Sequence, residues 1–130
     1  MMDFGYELKP FRSKGILILE VHGELTSLKS REFVEEAQQY FEGGFRGLLV
    51  DLSKVNYLDS TGLGACIRLF AASEGRGWCK GLQIKADGTM DSLISFADFP
   101  RIAPVFRDRD RALEALHAPN SMNEEAFELI

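Results

Sequence analysis

The stretch VDLSKVNYLDSTGLGACIRLF, Val50 to Phe70, joins an apolar run to an amphipathic one. GLLVDL, residues 47–52, reads as a strand buried on both faces. Beyond Ser60, the residues Leu63, Cys66, Ile67, Phe70 and Ala71 follow the i, i+3, i+4, i+7, i+8 spacing of one helix face. Between the two lie the short apolar segment VNYLD and the tetrapeptide Asp59-Ser60-Thr61-Gly62. An acid, two hydroxyls and a glycine thus mark the handover from strand to helix. A helix start leaves backbone N–H groups free and favours negative charge. The plain reading is a cap, because Asp-Ser-Thr is a capping composition. The sharper reading makes the Ser60 hydroxyl a phosphorylation site. A phosphate adds about −1.5 to −2 charge and three acceptor oxygens, and a helix N-terminus accommodates an anion. The helix would stay folded, and the effect would fall on whatever protein docks over it. In that reading Asp59 caps the helix or holds a donor near the hydroxyl. Gly62 and Gly64 let a partner's backbone come close, and Leu63 offers an apolar contact. Each glycine costs about 0.5–1 kcal/mol inside a helix, and close packing of helix on sheet is the alternative reason for them.

Upstream, the alternation of Phe4, Tyr6 and Leu8 predicts a first strand, which Pro10 ends or marks as an edge. RSKG, residues 12–15, is a turn, and ILILEV, residues 16–21, is a second strand antiparallel to the first. Thr26-Ser27 is positioned to cap the next helix. That helix places Phe33 or Val34, Ala37, and Tyr40 or Phe41 inward before Gly43-Gly44 end it. Downstream, KGLQIKA (80–86) alternates as a strand, and Met90, Leu93, Ile94 and Ala97 repeat the helical spacing. APVF (103–106) is a short strand. DRDRALEALH (108–117) is a last helix, capped by Asp108 or Asp110, with Ala112, Leu113 and Leu116 inward. The order β-β-α-β-α-β-α-β-α predicts an α/β fold, a mixed sheet of about five strands with an initial antiparallel hairpin and four helices.

The 130 residues suit one domain, with 45% hydrophobic and 27% charged residues. Residues 1–118 are read as that domain, and 119–130 as an acidic, flexible tail in which Met122, Ala126, Phe127 and Ile130 suit a short amphipathic turn. The net charge is −5. The tail, PNSMNEEAFELI, holds three of the twenty acids and none of the fifteen bases, which leaves −2 for the rest. No basic field for nucleic acid results. Arg101, Arg107, Arg109 and Arg111, interleaved with Asp108 and Asp110, read as a solvated, self-compensating face. No apolar run approaches the roughly 18 residues of a membrane helix, and the start lacks the pattern of a secretory signal. The expectation is a cytoplasmic monomer with reduced thiols at Cys66 and Cys79 and no cofactor or metal. Trp78 is expected in partial core.

The motif closely resembles the signature of STAS domains, specifically the bacterial anti-sigma factor antagonists. It carries Asp51-Leu52-Ser53 at the end of an apolar strand, then Asp59-Ser60-Thr61-Gly62-Leu63-Gly64 opening a helix. A second element, usually Gly-Glu-Leu-Asp, appears as GELT, Gly23 to Thr26. The resemblance spans about residues 4–117 and implies the STAS fold. It implies that Ser60 is phosphorylated by a kinase that is also an anti-sigma factor. The unphosphorylated protein would bind that kinase and free the sigma factor, and a serine phosphatase would restore it. The protein would then have no catalysis of its own. Thr26, where the family usually has Asp, is expected near the phosphorylated loop, and changes the charge around Ser60.

Two other classes compete. A nucleophilic Ser60 needs a base and an oxyanion hole, yet the histidines, His22 and His117, lie far off in sequence and no GxSxG elbow is present. Nucleotide-binding glycine motifs are absent as well. Within the family resemblance, the alternative is a constitutive STAS interaction subunit of a lipid-transport or stress-signalling complex, with the Ser/Thr loop as an interface.

Overall fold

The computed structural model describes residues 5–118. Phe4 and the tail from Pro119 lie outside them. The elements are β1 (Tyr6–Ser13), β2 (Ile16–Leu25), α1 (Ser30–Gln39), β3 (Gly47–Leu58), α2 (Ser60–Glu74), β4 (Cys79–Gln83), α3 (Asp91–Phe96), β5 (Val105–Phe106) and α4 (Arg109–His117). A single 3-10 turn, Phe99–Arg101, precedes β5. The five strands lie side by side in chain order. The first pair is antiparallel and the others are parallel. This is the expected mixed α/β sheet.

Lys14 and Gly15 close the hairpin at positive φ, 49° and 84°. That two-residue geometry matches the twist of the flanking strands. β1 does not end at Pro10 but runs through it to Ser13. An edge strand tolerates this, because its outward backbone positions need no N–H.

Chain order in the sheet decides where the helices go. The three crossovers from β2 to β5 all step the same way, so their right-handedness puts α1, α2 and α3 on one face. The other face is left for α4. The core divides accordingly. Leu17, Leu19, Val21, Leu48, Val50 and Leu52 meet Phe33, Leu63, Cys66 and Phe70 on the first face. Ile16, Ile18 and Leu49 meet Ala112 and Leu116 on the second. Trp78, half-buried, packs against Phe41 at a ring separation of 4.9 Å. Cys66 is fully buried, and burial pushes its thiol pKa up to about 12.

β3 and α2 also differ from the sequence reading. VNYL is the last third of β3, a strand of 12 residues, rather than a separate segment. Along β3 the positions packed on the first face step 48, 50, 52, then 55 and 58. The two jumps of three coincide with two register shifts against β2, between Glu20 and His22 and between Gly23 and Glu24. Each shift takes up one extra residue of β3 and returns the alternation to the same face. In α2 the buried set is Gly62, Leu63, Ala65, Cys66, Leu69, Phe70 and Ser73. Ala71, expected inward, is exposed. The helix packs on α1 as well as on the sheet, which rotates its buried stripe toward Leu69 and Ser73.

The arginine cluster is also corrected at one residue. Arg109 reaches back from α4 across the sheet. Its Nη2 donates to Glu20 Oε2 and to Asp51 Oδ2, both at 2.7 Å. Asp51 is 1% exposed, and its other oxygen accepts from the Ser53 amide at 2.8 Å. His22 bonds the second oxygen of Glu20 at 2.7 Å. Asp108 does not pair with an arginine; it caps α4 by accepting from the Asp110 and Arg111 amides. Arg107 pairs with Asp91 and Arg101 with Asp98.

Removing one partner of a buried ion pair strands the other charge, at a cost of 3–5 kcal/mol for fully buried pairs. Arg109 is partly exposed, so Arg109→Ala is expected to cost about 3 kcal/mol in urea unfolding. Partial burial raises the Glu20 pKa, but hydrogen bonds from His22 and Arg109 outweigh it and hold the carboxyl below its usual value. Stability from this pairing is therefore full above the unfolded pKa, about 4.3, and is lost as pH falls through the lower folded value. Melting temperatures of the wild type should drop more steeply below about pH 4 than those of Glu20→Gln.

Candidate functional site

Beyond Asp51, where its pairing with β4 stops, β3 continues to Leu58 against β2. The last register pair is Leu25 with Leu58. The residues that follow, Thr26 on one strand and Asp59 on the other, therefore leave the sheet side by side. Gly23 makes the close of β2 possible. It sits at φ 88°, and a β-carbon there would meet the Gly5 carbonyl oxygen at 2.6 Å.

Asp59 joins the two loops. It is the N-cap of α2 in an extended conformation, and its Oδ1 accepts from the Gly62 amide at 2.8 Å. Its Oδ2 accepts from the Ser27 amide at 3.4 Å. One carboxylate thus caps α2 and ties down the loop after β2. That loop does not cap α1 as the sequence suggested. Thr26 Oγ1 accepts from the Leu28 amide at 3.3 Å, and α1 begins at Ser30 behind Lys29 with no side-chain cap.

Ser60 and Thr61 occupy the first turn of α2, and both are exposed. Gly62 and Leu63 turn inward, Leu63 as the helix stripe placed it and Gly62 by close packing on the sheet, rather than toward a partner. Leu63 is 1% exposed and lies in the core. A β-carbon on Gly62 would collide with the Leu25 carbonyl oxygen, so this glycine exists to let α2 sit against the end of β2. Gly64 is different. It is half-buried, and a β-carbon there meets nothing within 4 Å. The surface that remains from the expected set is Ser60, Thr61 and Gly64, with Asp59 and Thr26 half-buried between them.

Two large apolar side chains near this end were not singled out in the sequence. Leu28, in the loop after β2, is 79% exposed, and Tyr57, near the end of β3, is 57% exposed. The available signal was that both fall outside every buried stripe while flanking the motif. The histidines are engaged elsewhere: His22 bonds Glu20, and the His117 ring bonds the Ser13 carbonyl at 3.0 Å. Among the described residues, no three His, Cys, Asp or Glu side chains come together as metal ligands would. No helix among them is long and apolar enough to cross a membrane.

The two glycines give opposite expectations. Gly62→Ala should destabilise by about 3 kcal/mol, since backbone blocks the new methyl. Gly64→Ala should stabilise by about 0.5–1 kcal/mol through helix propensity. Urea unfolding of both variants checks the pair.

No curated protein is significantly similar to the chain in sequence. Among solved structures, an anti-sigma factor antagonist from Mycobacterium paratuberculosis superposes with a TM-score of 0.76 at 18% identity, over 90% of this chain and 98% of that one. The Bacillus cell fate determinant SpoIIAA in its phosphorylated form gives 0.61 at 14% identity, over 87% and 100%. A sulfate transporter family protein from Wolinella succinogenes gives 0.66 at 21% identity, over 80% and 86%. At these identities the likeness is one of fold. The family model for the STAS domain matches residues 11–78, which contain GELT, the long β3 and all of α2, and the chain belongs to the STAS domain family.

Proposed function

We propose that this protein is an anti-sigma factor antagonist that works by partner switching. Unphosphorylated, it binds an anti-sigma factor that is also a serine kinase. Phosphorylation of Ser60 releases it, and a serine phosphatase restores it. The observation that carries the reading is the exposed Ser60 hydroxyl at the start of α2, with Gly62 and Leu63 behind it fixed in the core. A hydroxyl there is open to a kinase. A phosphate there meets a helix N-terminus, so the fold need not change. The regulator needs no chemistry of its own. Two fold neighbours, an anti-sigma factor antagonist and phosphorylated SpoIIAA, bear names that accord with this role.

A second reading, a constitutive interaction subunit, draws on Thr26. Its hydroxyl is engaged with the Leu28 amide, and no carboxylate stands there to act on Ser60. The two readings separate on whether Ser60 phosphate changes binding.

Site-resolved phosphoproteomics on the protein from its own cells, in growth and under stress, is the first test. Changing occupancy at Ser60 supports the switch, and an unmodified Ser60 throughout favours the constitutive subunit. Ser60→Asp should fold normally and weaken kinase binding by about a thousandfold, the equivalent of about 4 kcal/mol. Ser60→Ala should bind and resist phosphorylation. Calorimetric titration and a phosphorylation assay with the purified kinase read both variants.

A further inference from the structure

The exposed face of α2 continues from Ser60 along one stripe. Ser60, Gly64 and Arg68 stand at i, i+4 and i+8, so they line up along the helix. Gly64 leaves the stripe bare in its middle. Arg68 then faces α1 across a groove lined by Ser30, Arg31, Val34 and Glu35. Arg31 and Arg68 are both exposed. Among the described residues, neither side chain makes a hydrogen bond or an ion pair, and Glu35 pairs with neither. Most other arginines here are occupied: Arg12 on the Gly43 carbonyl, Arg46 on Leu116, Arg107 on Asp91, and Arg109 on Glu20 and Asp51. Arg111, also without a side-chain partner, is on the far face of the sheet with α4.

The position of Arg31 adds to this. It lies in the first turn of α1, where the helix dipole favours an acid, so its own helix gains nothing from it. Leu28, 79% exposed, lies in the loop that the Asp59 carboxylate ties to the start of α2. The surface therefore runs from an apolar knob and a bare glycine to two guanidinium groups that no ion pair engages, with the single carboxylate of Glu35 also lining the groove.

Resting on the partner-switching reading, we propose that the protein docking over Ser60 presents an acidic surface, which lies along the α1–α2 groove and sets carboxylates on Arg31 and Arg68. The charge pattern suits a switch. An acidic partner is drawn in by the arginines and repelled by a phosphate on Ser60. Ser60 and Arg68 are separated by about 12 Å along the helix axis at 1.5 Å per residue, so Arg68 does not neutralise that phosphate from within the molecule.

The test titrates each purified anti-sigma serine kinase of the source organism against the wild type, Ser60→Asp and the double variant Arg31→Glu/Arg68→Glu. Both arginines are exposed and unpaired, so circular dichroism and melting temperature should be unchanged in the double variant. Arg31→Gln/Arg68→Gln serves if the reversal misfolds. The double reversal should weaken binding by about 100-fold at low ionic strength and by much less at about 0.5 M salt. A kinase that loses Ser60→Asp yet binds the double variant as it binds the wild type would overturn the groove and leave the switch standing. Failure of every kinase to bind the wild type would remove both. Arginine-dependent binding of phosphatidylglycerol vesicles, with kinase binding unaffected, would assign the groove to lipid and overturn the proposal.

Discussion

The parallel pairing of β2 with β3 places everything that matters at the site. Both strands run far past β4, and their last pair, Leu25 with Leu58, brings two loops distant in sequence to the same level. Without the first extra residue that β3 takes up along the way, Val55 would point to the wrong face, and without both, Leu25 would pair with Asn56 rather than Leu58. The end of β3 would then overshoot β2 by two residues, and Asp59 would not leave the sheet level with the loop after β2. Gly62 depends on the same alignment, because it is the Leu25 carbonyl that leaves no room for a β-carbon.

Asp59 converts this alignment into a rigid platform. Its two oxygens serve different loops, one the helix start and the other Ser27. Ser60 is thereby held at the surface by its neighbours rather than by bonds of its own. A hydroxyl that carries no structural duty is suited to modification, since adding a phosphate there breaks nothing in the fold. The same logic explains how a half-exposed, glycine-bearing helix start can be stable. The Leu63 and Cys66 side chains, not the exposed first turn, anchor the helix.

The opposite face of the sheet is secured in a different way. α4 covers Ile16, Ile18 and Leu49, with Cys79 and Phe106 packed alongside, a smaller apolar contact than that on the first face. Arg109 adds a polar tie to Glu20 and Asp51, which are register partners on neighbouring strands. Asp51 belongs to the family signature by sequence, yet its role here is structural: one oxygen accepts from the Ser53 amide where β3 shifts register against β2, and the other holds α4. Sequence pattern placed Arg109 among solvated charges because neighbouring acids sit next to it in the chain. Its partners are 89 and 58 residues away, and local charge alternation contains no trace of them.

The sequence by itself determined the element order, the antiparallel start, the apolar strands and the cap at Asp59, because these rest on local periodicity and on side chains that act within a few residues. It also determined Ser60 as the conspicuous hydroxyl, since the hexapeptide motif is contiguous. Tertiary structure alone decided the length of β3, whose bulges break the period-two alternation that pattern reading requires. It decided that Thr26 serves its own loop rather than α1, that Gly62 faces inward while Gly64 faces out, and that Ala71 lies outside the buried stripe. A one-dimensional helix stripe cannot tell the side toward the sheet from the side toward α1, and that choice requires both neighbours to be in place.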